Sequence, residues 1–405
     1  MFILWFAAAT CVAAGICALL GLLIAQAGFP LPSGDRRLGS VDGLRGWLAL
    51  SVMAHHFYIW TRILYTGGRW AAPDINFLGQ MGSGAVGLFF MTTGLVFYPR
   101  ILKGWKSTSW TSVYITRFFR IVPLVTFSVF IISLLIVVRI GGVFDLAYAR
   151  NAARWIISWN EPDLLGYHDS GRLNAYVLWS LWYEWIFYLL VLPLCAIAMD
   201  AAKAVHLPTW LVPIGMLCII IALRIAAKIT GHHMELLRYF PLFAVGMIAY
   251  EIQSKDALRK ILRKRAVSIL ALVALVAGMV LFENPYGSGM PLFAFFFTCV
   301  ACGNSLFGIL NARSALVLGE VSFGIYLLHG IVINIIFTEG REIIENLGAN
   351  QSTVLLLPAA AAIVPITAAT YLFVEKTGIK TGKRLAGWWG GRMPRVTAHE
   401  LDVAP

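Results

Sequence analysis

Ser40-Val41-Asp42-Gly43-Leu44-Arg45-Gly46-Trp47-Leu48-Ala49-Leu50-Ser51-Val52-Met53-Ala54-His55-His56-Phe57 sets an arginine at the mouth of an apolar segment and two histidines inside it. Charged and titratable groups are costly in hydrocarbon, so their presence there reads as function by default. Arg45 and His56 are eleven positions apart, about three helical turns, which places them on one face roughly 16 Å apart in height. Such a face carries an anion-binding group at the membrane surface and a general base deeper in. His55 points about 100° away around the helix and reads as a packing or orienting residue.

The surrounding composition makes the apolar reading unavoidable. Of 405 residues, 59% are hydrophobic and 13% charged, with a mean hydropathy of +0.78. Soluble domains are nearer half apolar and a quarter charged, so an all-α, polytopic membrane bundle is expected. Cys11, Cys17, Cys195, Cys218, Cys299 and Cys302 all fall in apolar runs, where a thiol behaves as a small hydrophobe. Cys299 and Cys302 form a C-x-x-C pair without other soft ligands nearby. Packing is the expected role, and no metal site is expected.

Apolar segments lie at about 2–27, 43–65, 82–98, 121–141, 175–198, 209–229, 237–252, 266–282, 291–311, 315–338 and 353–374. Each is near the length that spans a bilayer, giving eleven expected spans. Ala25-Gln26-Ala27 resembles a peptidase site, but the first segment lacks a basic leader and a short apolar core. It is expected to remain as an extra N-terminal helix, 1–30, ahead of a core at 31–376 and a cytoplasmic tail at 377–405. The residues from Trp388 onward read as mobile.

Orientation follows from the basic residues. With the N-terminus outside, one set of connections together with Arg45 holds 22 of the 32 Lys and Arg, including nine of ten lysines. The net charge of +12 is thereby a topology signal rather than a nucleic-acid footprint, and no nucleic-acid partner is expected. The C-terminus is then cytoplasmic, in a cell inner membrane. Opposite lie a long polar connection, 142–174, suited to gripping a hydrophilic substrate, and an acidic one, 339–352, that reads equally well as a solvated linker.

Two further stretches carry chemistry. Glu184 lies in Trp179-Ser180-Leu181-Trp182-Tyr183-Glu184-Trp185-Ile186-Phe187-Tyr188, and helix rise places it and His329 at a depth comparable with His56. A carboxylate there requires a partner, and a histidine oriented by a carboxylate is a recurrent general base. Arg117-Phe118-Phe119-Arg120-Ile121-Val122-Pro123 places two guanidinium groups at i, i+3 beside Arg45, suited to phosphate. The glycines of Gly82-Ser83-Gly84-Ala85-Val86-Gly87 fit close helix packing better than a phosphate loop.

Taken in order, these stretches resemble the acyltransferase 3 family of membrane proteins. Ser40 to His56 is similar to its L-D-G-L-R-G…H opening with R-x10-H spacing, and Gly84 to Leu95 to its G-x-x-G-V-D-L-F-F-V-L-S-G-F segment. Arg117 to Pro123 matches R-x-x-R-I-x-P, and Trp179 to Tyr188 resembles W-S-L-x-x-E-x-x-F-Y. Leu318 to His329 is similar to L-G-x-x-S-Y-x-x-Y-L-x-H, and Phe373 to Lys376 to the closing F-x-E-K/R. Gly87 stands where an acidic residue is common; the first span is extra, and no fused outer-face domain is expected.

The resemblance implies a ten-helix core that passes an acyl group, commonly acetyl, from cytoplasmic acyl-CoA to a hydroxyl at the outer face. Relatives commonly O-acetylate envelope polysaccharides. Arg45, Arg117 and Arg120 would then hold the donor phosphates, with His56, Glu184 and His329 catalytic and a glycan or lipid-linked saccharide as acceptor. The alternative is a transporter or flippase of an envelope precursor using the intramembrane charges as a proton path, which predicts paired repeats and broken helices. Neither is evident in the sequence.

Overall fold

Long apolar runs separated by short glycine- and proline-bearing connections fold as helices throughout the computed structural model, which describes residues 1–31, 38–232 and 234–390. Among these residues there is no β-strand. Arg36 and Arg37, which contribute to the basic count, and the tail beyond Gly390 lie outside the described residues.

The helices in chain order are α1 Phe2–Gln26, α2 Gly39–Thr66, α3 Asn76–Lys103, α4 Trp110–Ile140 and α5 Leu146–Ile156, then α6 Trp179–Ile186 continuing into α7 Leu192–Ala204. α8 Leu211–Ile229, α9 Phe240–Gln253, α10 Asp256–Leu262, α11 Arg265–Leu281 and α12 Met290–Ala301 follow. α13 Arg313–Glu320, α14 Ser322–Glu339, α15 Arg341–Ser352, α16 Leu356–Thr370 and α17 Lys376–Gly390 complete the described residues. Among the described residues, seven helical stretches are long and apolar enough to cross a bilayer, eight if α10 and α11, bent by 74°, count as one span.

Each of the eleven expected segments contains a helix, with shifted limits. The segment expected at 291–311 is helical only to Ala301, because Gly303 and a left-handed Leu306–Gly308 run break it. The segment at 315–338 is two helices, broken between Glu320 and Ser322. At 12 and 14 residues, α12 and α9 are too short to span alone. α2 ends at Gly67, whose φ of 64° is the left-handed cap that glycine adopts without steric cost. The expected acidic linker is instead α15. On it Glu345 pairs with Arg341, while Glu339 of α14 bonds Arg139 of α4 at 2.9 Å.

Close approach of backbones explains why the opening stretch is rich in glycine. A methyl group on Gly43 would overlap the carbonyl oxygen of Leu310, and one on Gly319 that of Asp42, so α2 and α13 touch backbone to backbone. The same holds where Gly94 of α3 meets Phe243 and Gly246 of α9 meets Met91. Lipid supplies no hydrophobic drive between helices, so small residues at crossings carry the packing. Gly378 and Gly382 likewise seat α17 against Phe119 of α4, giving the C-terminal segment a docked helix as far as Gly390. All six cysteines are free, with Cys299 and Cys302 buried in packing.

Candidate active site

α2 runs without a break from Gly39 to Thr66, so Arg45 and His56 ride one rigid element. Each heads a separate cluster. Around Arg45 the bundle opens a cleft of about 810 Å³, part of it open to solvent, into which Arg117, Arg120 and Glu184 also project. Arg117 is 6% and Arg120 8% exposed, a burial that two cations tolerate only with partners. The Arg117 guanidinium lies 4.9 Å over the Phe97 ring and 6.0 Å over that of Tyr188, placements that cation–π attraction favours. Arg120 pairs with the fully buried Glu375 at 3.7 Å. Glu184 accepts a hydrogen bond from the Tyr188 hydroxyl at 2.8 Å and one from Thr93 at 3.4 Å.

Both carboxylates sit beside π-helical turns, Glu184 just before Phe187–Val191 and Glu375 as the last residue of Tyr371–Glu375. Such turns insert one extra residue per turn and recur at functional sites.

The second cluster lies further along α2. His56 Nδ1 is 2.8 Å from Nε2 of His329, with the rings edge to edge, their centroids 5.0 Å apart and their planes within 16°. His329 Nδ1 lies 2.9 Å from the carbonyl oxygen of Ile325. A carbonyl only accepts, so that nitrogen carries the proton, and in the neutral ring Nε2 is then a lone pair. It accepts from His56 Nδ1–H, which leaves His56 Nε2 unprotonated and available as a base. His55 takes a different direction, donating from Nδ1 to Leu78 O at 2.7 Å, with its ring filling the space that Gly82 leaves by lacking a side chain.

The structure thus brings together His56 with His329, and Arg45 with Arg117, Arg120 and Glu184. Glu184 is not among the partners of His56. Between the clusters stands Tyr326, which lines the cleft, bonds Ser180 at 2.8 Å and lies 6.2 Å from the His329 ring. Tyr326, Tyr188 and Glu375 carry no role in the sequence reading, though the two tyrosines carry a signal. Tyr188 follows Glu184 by four residues and Tyr326 precedes His329 by three, spacings that share a helix face.

The His56 ring also stacks with Trp70, 5.8 Å from it, and Trp70 in turn meets Tyr176 at 5.2 Å. Tyr176 ends the polar connection after α5, which folds tightly: Ser158, Leu165, Asp169, Ala175 and Tyr176 all have positive φ. Within this connection burial pushes the Glu161 carboxyl up to about 8, although its Oε1 accepts from the Leu178 N–H at 2.9 Å.

Among the described residues, no group of three or more His, Cys, Asp or Glu side chains is placed to hold a metal ion. Helices of bilayer length around two intramembrane polar clusters define an integral membrane protein with a candidate catalytic centre. Its family is set by the match of residues 38–374 to the model described as Acyltransferase domain. The chain belongs to this acyltransferase 3 family and is a membrane acyltransferase. Comparison with curated proteins and with solved structures yields no match.

Proposed function

We propose that the chain transfers an acyl group, acetyl in the first instance, from cytoplasmic acyl-CoA to a hydroxyl of a cell-envelope glycan or glycolipid at the outer face of the inner membrane. The observation that carries this reading is the arrangement on α2. An arginine-lined cleft opens around Arg45, and a histidine with a free lone pair lies eleven positions further along the same helix. Arg45, Arg117 and Arg120 supply planar donors suited to the nucleotide and pyrophosphate of the donor. Glu184 and Glu375 hold those guanidinium groups in place, and the pantetheine arm extends past Tyr326 towards the histidines.

In the transfer step, His56 Nε2 takes the proton of the acceptor hydroxyl as its oxygen attacks the thioester carbonyl. The C–O bond forms, the C–S bond breaks, and the proton passes to the departing thiolate. During the step the His56 imidazolium keeps donating to His329, whose ring is held by the Ile325 carbonyl. Positioned proton transfer of this kind is worth about 10²–10⁴-fold in rate.

The test is radiolabelled acetyl-CoA offered to the purified protein in nanodiscs, together with mass spectrometry of envelope glycans from cells with and without it. Turnover that disappears in His56→Ala, with one acetyl mass lost from a glycan, is the expected result. Absence of turnover together with unchanged glycans would overturn the reading in favour of a transport role.

A further inference from the structure

The His56 ring meets two neighbours in different ways. Its Nδ1 edge meets His329 inside the bundle, and its ring stacks with Trp70, in the connection between α2 and α3. Trp70 is partly exposed, and its edge contacts are with Trp60 at 5.9 Å and Tyr176 at 5.2 Å. Three aromatic rings therefore stand at the end of α2 away from Arg45, at the approach to the base.

The polar connection that delivers Tyr176 is built to hold it there. The Tyr176 hydroxyl donates to Asp169, which also pairs with Arg172 at 2.7 Å. Asn174 packs its backbone directly on Gly330, the residue after His329, where any side chain would collide. Non-glycine residues with positive φ are costly, and five in one connection persist only where the surroundings impose them.

The same connection holds unused hydrogen-bonding groups. Asn174 is fully buried; its Oδ1 accepts from the Tyr176 N–H, while its Nδ2 has no partner among the described residues. Glu161 Oε2 and Trp60 Nε1 are likewise buried and without partners among them. Glu161 Oε2 and the Tyr176 ring flank the same face of Gly171, 2.8 and 2.6 Å from where a Cβ would lie. Buried donors and acceptors left over in this way call for a polar occupant.

Resting on the acyltransfer reading, we propose that Trp70 and Tyr176 form the acceptor subsite, binding a pyranose ring with one hydroxyl directed at His56 Nε2. An aromatic face carries negative potential and attracts the C–H face of a sugar ring. The leftover groups of the outer connection suit its hydroxyls, a combination of apolar wall and few polar contacts typical of small-ligand sites. A lipid alcohol would use the rings but leave those groups unsatisfied.

The experiment uses the full chain in nanodiscs and methyl glucopyranoside, galactopyranoside and mannopyranoside as probes. Saturation-transfer NMR is expected to light the ring protons of at least one glycoside, and Trp70→Leu and Tyr176→Leu to abolish the signal while Trp70→Phe retains it. Melting temperature and size-exclusion profile check that each variant is folded. With acetyl-CoA present, Trp70→Leu is expected to raise the acceptor KM about tenfold, the size of a lost aromatic contact. No saturated glycoside, or equal signals in Trp70→Leu and Trp70→Phe, overturns the subsite. If acetyl reaches a glycoside with unchanged KM in Trp70→Leu, the subsite falls and the acyltransfer reading stands. If tryptophan-dependent binding occurs without acetyl transfer, the subsite stands and the acyltransfer reading falls.

Discussion

His56 Nδ1 and His329 Nε2 lie 2.8 Å apart, although 273 residues separate them in the chain. Because His329 is tied through Nδ1 to its own helix, the proton order of the pair is set: His56 donates inward and offers its lone pair outward. His329→Ala should therefore lower kcat for acetyl transfer by about 10²-fold or more, with little change in the KM for acetyl-CoA. His329→Gln keeps a hydrogen-bonding side chain and should lose less. Equal kcat in wild type and His329→Ala would remove His329 from the proton path.

Arg120 and Glu375 form a buried pair at 3.7 Å. Arg120→Met leaves the Glu375 carboxylate buried without its cation, a change worth about 3–5 kcal/mol of stability in buried pairs. It should lower the melting temperature as well as weaken acetyl-CoA binding. Combining it with Glu375→Gln should restore much of the melting temperature and none of the binding. Recovery of both by the double variant would assign Arg120 to structure alone.

Gly43 lets α2 touch the turn at Leu310, and Gly319 lets α13 touch α2 at Asp42. Gly43→Ala forces a methyl against the Leu310 carbonyl, where overpacking costs about 1–3 kcal/mol. A fall of several degrees in the thermal midpoint in detergent is expected. Gly15→Ala on α1, where a Cβ meets nothing within 4 Å, gains helix propensity without a clash and should hold or raise the midpoint. The contrast separates close packing from helix propensity.

Glu161 is the group outside the membrane spans whose burial makes a pH prediction. Its carboxyl moves from an ordinary 4.5 to about 8 on folding, so the native state holds a proton that the unfolded chain releases above 4.5. Unfolding then releases protons across that window, and stability falls as pH rises from about 5 to 8. Glu161→Gln lacks this loss. Its melting temperature should match wild type near pH 5, exceed it progressively towards pH 8 and hold a constant lead above that. A constant difference across the whole range would show that Glu161 does not titrate in the window.

Much of this was legible before any fold was known. Arg45 and His56 share a helix by spacing alone, and Arg117 with Arg120 form one cationic face by their i, i+3 offset. Depth bookkeeping grouped His56, Glu184 and His329 at one level, which is where its reach ended. Depth is one coordinate, and the angular positions of three helices around the bundle are not encoded in any one of them. The structure turns His329 to His56, and turns Glu184 to the arginines through Tyr188 and Thr93. The breaks at Gly303 and after Glu320 were equally hidden, because an apolar run reads the same whether its backbone continues or turns.

By itself the sequence determined that this is a helical membrane protein, which segments are helical, and which charged groups are too costly to be idle. Those properties depend on local composition and on the price of burying charge in hydrocarbon. Only the tertiary structure decided that His56 meets a second histidine, that Arg45, Arg117 and Arg120 share a cleft with Glu184, and that Trp70 stacks with His56 while Tyr176 packs on Trp70. Those contacts join residues far apart in the chain, and they depend on how glycine-rich helix crossings set rotation and separation.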